Sequence, residues 1–467
     1  MKSSLAVAVV LAFLVSFFNK RKKDKCPRVG LLEASKVFSG STAPWDLLNL
    51  AKKHDSDIYH LLLPMRTGGI YIVGDPSVQK EMLLDKTSDK LKVKEFTIPS
   101  APSMFSRQTA DPMWKVARKG AAPAFGSSEI KRMNQICNDH VHHWIAERLE
   151  PFIDKNESFD PSKEMVRLTF SLITNWAFEY IATDEEYEHF LHNLEFALKE
   201  LMFKEITNPL RKYYAPADHR KALQSRAEVR GFSKKILDAY RKKSDEDKSS
   251  NKTMIRLIVE NEQYDDSHRV SEITTIIIAG FDTTGYTLSS TLMLLAQHPN
   301  VAKKLQQELA TMDAVDWSKS EYLRCVIYES RRLLPVVALG SPRVVGRDFS
   351  CKGGSIVIPK GSFVVMPQIL SHRNPTVFED PDSFLPERWE NADKVMHDSL
   401  FTFSRGNRSC VGQSLAMSEL YAIIPTLLSR YDFEIVDEGK LAFFFTLKYA
   451  GARLKVSRAS LCLSCML

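Results

Sequence analysis

Ser271 to Gln297 is the longest apolar-periodic stretch in the chain. Its apolar residues recur three and four positions apart, which keeps them on one face of an α-helix. A helix of that length, about 40 Å at 1.5 Å per residue, must run through a large core or across a bilayer. Asp282, Gly280, Gly285 and many Thr and Ser residues interrupt it, and no basic flank anchors its ends. Membrane spans carry basic flanks and rarely hold acids, so a core helix is expected. Its middle, Ala279-Gly280-Phe281-Asp282-Thr283-Thr284-Gly285, is built from poor helix formers. Taken alone, that run reads as a slack spot; the alternative is a distortion that makes room for a ligand.

Other segments point the same way. Arg132–Glu150 and Ser162–Ile181 have helical periodicity, the second opening on Asp160-Pro161 as cap and first turn. Phe232–Arg241 and Met254–Glu262 are further amphipathic pieces. Strand-like segments are few: Gly69–Val73, Ser355–Val365 with its turn, Phe433–Val436 and Leu454–Val456. The expected class is mainly α with small β-sheets at the two ends. At 467 residues, length alone suggests roughly three domains. No linker or internal repeat divides the chain, and the polar run Lys242–Lys252 suits a solvated loop. One large catalytic domain over 26–467 behind an anchor at 1–25 is the better reading.

The formal charge of +7 is modest, and no basic recognition helix points to nucleic acid. Seven scattered cysteines do not read as a disulfide framework, which implies a reducing compartment. Cys462 and Cys465 have redox-pair spacing but read as incidental residues of a terminal tail. Leu5–Phe18 is apolar apart from Ser16 and is followed by Lys20-Arg21-Lys22-Lys23. Charges after the apolar run, rather than before it, indicate a retained anchor with the rest of the chain cytosolic. As a helix, Met1–Phe18 spans about 27 Å, which suits a thin endoplasmic reticulum bilayer.

Phe403-Ser404-Arg405-Gly406-Asn407-Arg408-Ser409-Cys410-Val411-Gly412 runs directly into a helical pattern from Gln413. A cysteine at a helix N-terminus beside Arg405 and Arg408 is expected to have a depressed thiol pKa. Gly406 and Gly412 let backbone approach a flat ligand, and Phe403 can shield the sulfur. Alone, Cys410 would more often be an inert buried thiol. The whole run, however, resembles the haem-binding loop Phe-x-x-Gly-x-Arg-x-Cys-x-Gly of the cytochrome P-450 family, in which a Cys thiolate is the known axial ligand of haem iron.

The family's other landmarks follow in order. Glu329-Ser330-Arg331-Arg332 resembles its Glu-x-x-Arg helix, and Phe384-Leu385-Pro386-Glu387-Arg388-Trp389 its Pro-Glu-Arg-aromatic segment. The resemblance implies a buried charge network of Glu329, Arg332 and Arg388 behind the Cys loop. Ala279-Gly280-Phe281-Asp282-Thr283-Thr284 is similar to the family's oxygen-activating segment. There Ala279 and Gly280 would border the dioxygen, while Asp282 and Thr283 would relay the two protons that O–O cleavage needs. Trp114-Lys115-Val116-Ala117-Arg118 and Pro342-Arg343 resemble the segments that hold the haem propionates, with Arg408 as a third arginine.

The resemblance runs from about residue 30 to the end. It departs from the family in a short stretch between Gln307 and Tyr322, a lone Pro335 after Glu-x-x-Arg, and a proline-rich hinge reduced to Pro27. It implies haem b (iron protoporphyrin IX), monooxygenase chemistry and electrons from NADPH through a separate flavoprotein reductase. It also implies an endoplasmic reticulum membrane location, or alternatively another organelle membrane such as the plastid's. By family position, substrate would meet Thr97–Met104, Phe281, Val336–Leu339 and Phe445–Tyr449. These are mostly apolar, so a sterol, fatty acid or terpenoid is expected. A haem-thiolate isomerase, dehydratase or sensor that does not activate dioxygen is the alternative.

Overall fold

The computed structural model describes residues 25–37, 40–63, 68–90, 102–204, 211–244, 246–248 and 251–459. The N-terminal segment 1–24, residues 97–101 and the pair Cys462 and Cys465 lie outside it.

A single unbroken helix, Asp266–Gln297, runs through the main hydrophobic core. The Asp265 side chain caps it, accepting from His268 N at 2.8 Å, which satisfies one of the amides a helix start leaves unpaired. The run of poor helix formers produces neither a slack spot nor a distortion. Two of its glycines instead admit the neighbouring helix, Pro161–Phe178. A Cβ on Gly285 would stand 2.7 Å from Val166 Cα, and one on Gly280 would stand 2.7 Å from Ile173 Cγ1. Between them, Thr169 Oγ1 donates to the Phe281 carbonyl at 2.8 Å across the interface. At 285 the close approach of two backbones requires glycine; at 280 the neighbour is the Ile173 side chain.

The Phe281 ring turns into core. It meets Phe170 at 5.4 Å and Phe190 at 6.0 Å between centroids, in a cluster that also takes Phe232. Phe281 is wholly buried there, so its expected place beside the oxygen site is corrected. Its bulk belongs to the packing.

The expected helices at 132–150 and 162–181 correspond to Ser127–Trp144, continued as a π-turn over Ile145–Leu149, and to Pro161–Phe178. Phe232–Arg241 is the end of a longer helix, Pro216–Lys242. All four strand-like segments contain strands, but the sheets join distant parts of the chain. Ile70–Val73 pairs antiparallel with Ile58–Leu61 and parallel with Phe363–Val365, which in turn pairs with Arg343–Val344. Tyr431–Asp437 and Arg453–Arg458 are joined by Ser158–Phe159 from the first half of the chain. A C-terminal hairpin, Lys440–Phe443 with Leu447–Ala450, reaches back to the central helix.

Candidate active site

The Cys loop is held by its own backbone. Cys410 N donates to Phe403 O at 2.8 Å and Ser409 N to Gly406 O at 3.0 Å. Gly406 has φ +71°, and a Cβ there would lie 2.5 Å from Leu83 O, so position and conformation both demand glycine. Around Gly412 the nearest atoms to an added Cβ are Cys410 Sγ at 3.9 Å and Phe125 Cε1 at 4.0 Å, which leaves room beside the sulfur. Cys410 is exposed, yet the protein packed around its sulfur pushes the thiol pKa up. The Gly412 N–H and Arg118 pull the other way without winning.

The expected depression by Arg405 and Arg408 is therefore corrected. Arg405 donates to His397 O at 2.8 Å and pairs with Asp398 at 3.4 Å, while Arg408 is spent on Asp89. Coordination to a cation is what would deprotonate this thiol.

Arg408 is enclosed by a loop that sequence reasoning did not single out. It donates to Thr109 Oγ1 at 3.0 Å, Met104 O at 3.3 Å, Asp89 Oδ1 at 3.1 Å and Arg107 O, and it lies 4.6 Å over the Trp114 ring. Asp89 is the hub. It accepts from Thr109 N and Oγ1, and its backbone bridges Val344. That bridge brings in the neighbouring Arg343 on the edge strand. Burial and Arg408 push Arg343 down to about 10, and its Nη2 is buried without a partner. Lys90 is driven well below the usual lysine range by burial, Arg343 and Arg408, while donating to Phe105 O at 2.7 Å. Arg118 donates only weakly, to Ser409 Oγ at 3.4 Å.

Arg343, Arg408 and Lys90 thus share one carboxylate, Asp89, with Arg118 a further cation near Arg408, and Arg343 keeps a buried donor in hand. A buried cationic cluster with too few anions calls for more of them. Two carboxylates of a flat cofactor lying beside the Cys loop fit that need. Arg118, Arg343 and the Trp114 indole have donors for them, whereas the donors of Arg408 are largely committed to protein.

On the central helix, Ala279 is exposed between half-buried neighbours, and its carbonyl accepts from Thr283 Oγ1 at 2.8 Å. Gly280 instead faces Ile173, so packing explains its missing side chain. The Asp282 carboxyl accepts from Thr446 Oγ1 of the C-terminal hairpin at 2.7 Å. Burial pushes its pKa up to about 6, against the Thr446 hydrogen bond and nearby Lys448.

The charge network forms as expected. Arg332 binds Glu329 with two bonds of 2.8 Å, and Arg388 Nε adds one at 3.0 Å. Trp389 Nε1 and Leu385 N complete the carboxylate shell at 2.8 and 3.0 Å. The spare donors of Arg332 reach the carbonyls of His372, Pro381 and Ser383, fixing the segment before the Cys loop. Arg331 is also buried but meets rings rather than carboxylates. It lies 4.8 Å from the Tyr328 centroid and 5.1 Å from that of Phe403.

Two further buried acids escaped the sequence reading. Burial pushes Glu272 up to about 7, although it accepts from Met104 N at 2.8 Å. Burial pushes Glu419 up to about 8, although Thr284 hydrogen-bonds it. Both were visible as lone acids within apolar helical runs.

The chain matches the family model described as Cytochrome P450 over residues 27–462. Among curated proteins it is similar to Cytochrome P450 3A40 of Oryzias latipes, 26% identical over 71% of this chain and 70% of that protein. It is 27% identical to Cytochrome P450 3A6 of Oryctolagus cuniculus over 71% and 70%. Over a shorter stretch, 40% of this chain and 42% of that one, it is 32% identical to Cytochrome P450 monooxygenase asqL of Emericella nidulans. Together with a mainly helical fold, a Cys loop with space beside the sulfur and a cationic cluster in want of carboxylates, these matches place the chain in the cytochrome P450 family, as a haem-dependent monooxygenase and so an oxidoreductase.

Proposed function

We propose that this enzyme inserts one atom of dioxygen into a lipophilic substrate of the sterol, fatty acid or terpenoid class, with NADPH-derived electrons delivered by a separate flavoprotein reductase. Cys410 would hold the haem iron through its thiolate, and Arg118, Arg343 and Trp114 would hold the two carboxylates, with Arg408 bracing the loop. Haem b, when bound, supplies the activation of dioxygen. The chain's own contribution is to hold the cofactor, exclude water and move protons. Burial pushes the Asp282 carboxyl up to about 6, close enough to cellular pH for it to pick up and pass on a proton. Thr283, whose hydroxyl rests on Ala279 O, is the second member of the relay.

The observation that carries this reading is Asp282, a half-buried acid held by Thr446 and pushed up to about 6 by desolvation, one residue from an alcohol. An isomerase or sensor that does not use dioxygen has no need of such a group. The apolar lining expected around Val336–Leu339 and Phe445–Tyr449 supports a lipophilic substrate. No helix among the described residues is long and apolar enough to cross a membrane. The proposal of an endoplasmic reticulum anchor over 1–25, ahead of one catalytic domain, therefore rests on the sequence of that segment.

The test is Thr283→Ala in a reductase-reconstituted assay. The expected result is retained haem with most NADPH electrons diverted to hydrogen peroxide. Unchanged product per NADPH would remove the relay from the account.

A further inference from the structure

We propose that Thr446 is the positioning residue for Asp282, its hydroxyl holding the acid against the turn of the C-terminal hairpin. The inference rests on the monooxygenase reading above. Thr446 is buried, and its Oγ1 donates to Asp282 Oδ2 at 2.7 Å. Among the described residues no second hydrogen bond reaches that carboxyl. The turn is itself held in place: Phe444 N donates to Thr446 O at 3.3 Å, and the adjacent Leu447 N to Val336 O at 2.8 Å. The same few residues therefore touch the central helix at Asp282 and the Val336–Leu339 segment.

The charged and titratable groups that bear on Asp282 are Lys448 from the hairpin, Glu195 from the helix Asp184–Ala197, and Tyr286 one turn along its own helix. Lys448 joins the other two, donating to Glu195 Oε1 at 3.0 Å and to Tyr286 OH at 3.1 Å. Its charge is therefore shared, and Thr446 alone has a donor on the carboxyl. That bond stabilises the ionised acid and opposes burial. Displacing the turn would weaken it and raise the proton affinity of Asp282. Phe445, half-buried beside Thr446, is where a bound substrate would press. Substrate occupancy and proton delivery thus share one hydrogen bond.

The test follows the Asp282 carboxyl in the haem-loaded protein by infrared pH titration, its band assigned by its loss in Asp282→Asn. In parallel, the share of NADPH electrons released as peroxide is measured with the reductase. Thr446→Val should move the titration up by about one pH unit, the value of one hydrogen bond to a charged group, and raise the peroxide share severalfold. Thr446→Ser, which keeps the donor, should restore both. An unmoved titration in Thr446→Val, or Ser and Val variants that behave alike, would overturn the proposal. So would loss of haem in Thr446→Val, since a bond that only positions one carboxyl is not needed for folding. If Asp282→Asn itself stays fully coupled, the proton-relay reading fails instead. If Asp282→Asn uncouples while Thr446→Val is silent, only the role of Thr446 falls.

Discussion

Glu329 and Asp282 lie on two helices that pack together, the first fully buried and the second half-buried, yet the chain treats them in opposite ways. Glu329 has five donors: two from Arg332 and one each from Arg388, Trp389 and Leu385. Among the described residues Asp282 has one, from Thr446. Burial makes a charge costly unless bonds replace water. The first carboxylate receives those bonds and becomes a fixed part of the frame behind the Cys loop. The second is left short of them and becomes a group that can exchange its proton. Between these two acids, the number of donors separates the fixed charge from the one that can exchange its proton.

The largest effect should come from the frame. Glu329→Gln removes the charge that Arg332 and Arg388 surround, leaving two buried cations short of a partner. We expect about 3–5 kcal/mol of lost stability, with loss of haem retention, read by chemical unfolding and absorbance. A stable, haem-retaining Glu329→Gln protein would erase the contrast.

Next comes the pH dependence of the under-bonded acid. The Asp282 pKa is raised in the fold, from 3.8 to about 6, so its neutral form is the favoured one. The stability tied to it is present below pH ~4 and lost as pH rises through about 6. Asp282→Asn is neutral throughout and should gain about 2 kcal/mol on the parent between pH 4 and pH 8. Parallel unfolding curves at the two pH values would contradict that assignment.

The close approach of the central helix to Pro161–Phe178 offers a smaller effect. Gly285→Ala forces a methyl against Val166 Cα and should cost about 1–3 kcal/mol in thermal or chemical unfolding.

The smallest effect sharpens the comparison from the cation side. Arg331 is buried without a carboxylate, and burial pushes it down to about 10; its bonds are to Met417 Sδ and two ring faces. Arg331→Met should change stability by about 1 kcal/mol or less, or even raise it, because replacing a poorly compensated buried charge is often neutral or favourable. A loss as large as that of Glu329→Gln would mean that Arg331 has a partner this account omits.

Much of this was legible in the sequence, because the residues of each motif act through local spacing. Glu329 and Arg332 share a helix face three residues apart, and Gly406 and Gly412 flank the cysteine within one loop. Contacts made across the fold were not legible. Nothing in the sequence ties Thr446 to Asp282, or Asp89 to Arg408 and the strand of Arg343. These pairs depend on a hairpin and an edge strand brought in from far along the chain. The thiol of Cys410 was misjudged for the same reason: Arg405 and Arg408 are its neighbours in sequence, but Asp398 and Asp89 claim them in space. The contact of Gly280 with Ile173 is likewise one that spacing along the chain does not show.

The central claim is that Cys410 holds haem iron in a monooxygenase site. The carbon-monoxide difference spectrum of the reduced protein tests it most directly, comparing the parent chain with Cys410→Ala. The account predicts a strongly red-shifted Soret band in the parent that vanishes in the variant. The same band in Cys410→Ala would contradict it.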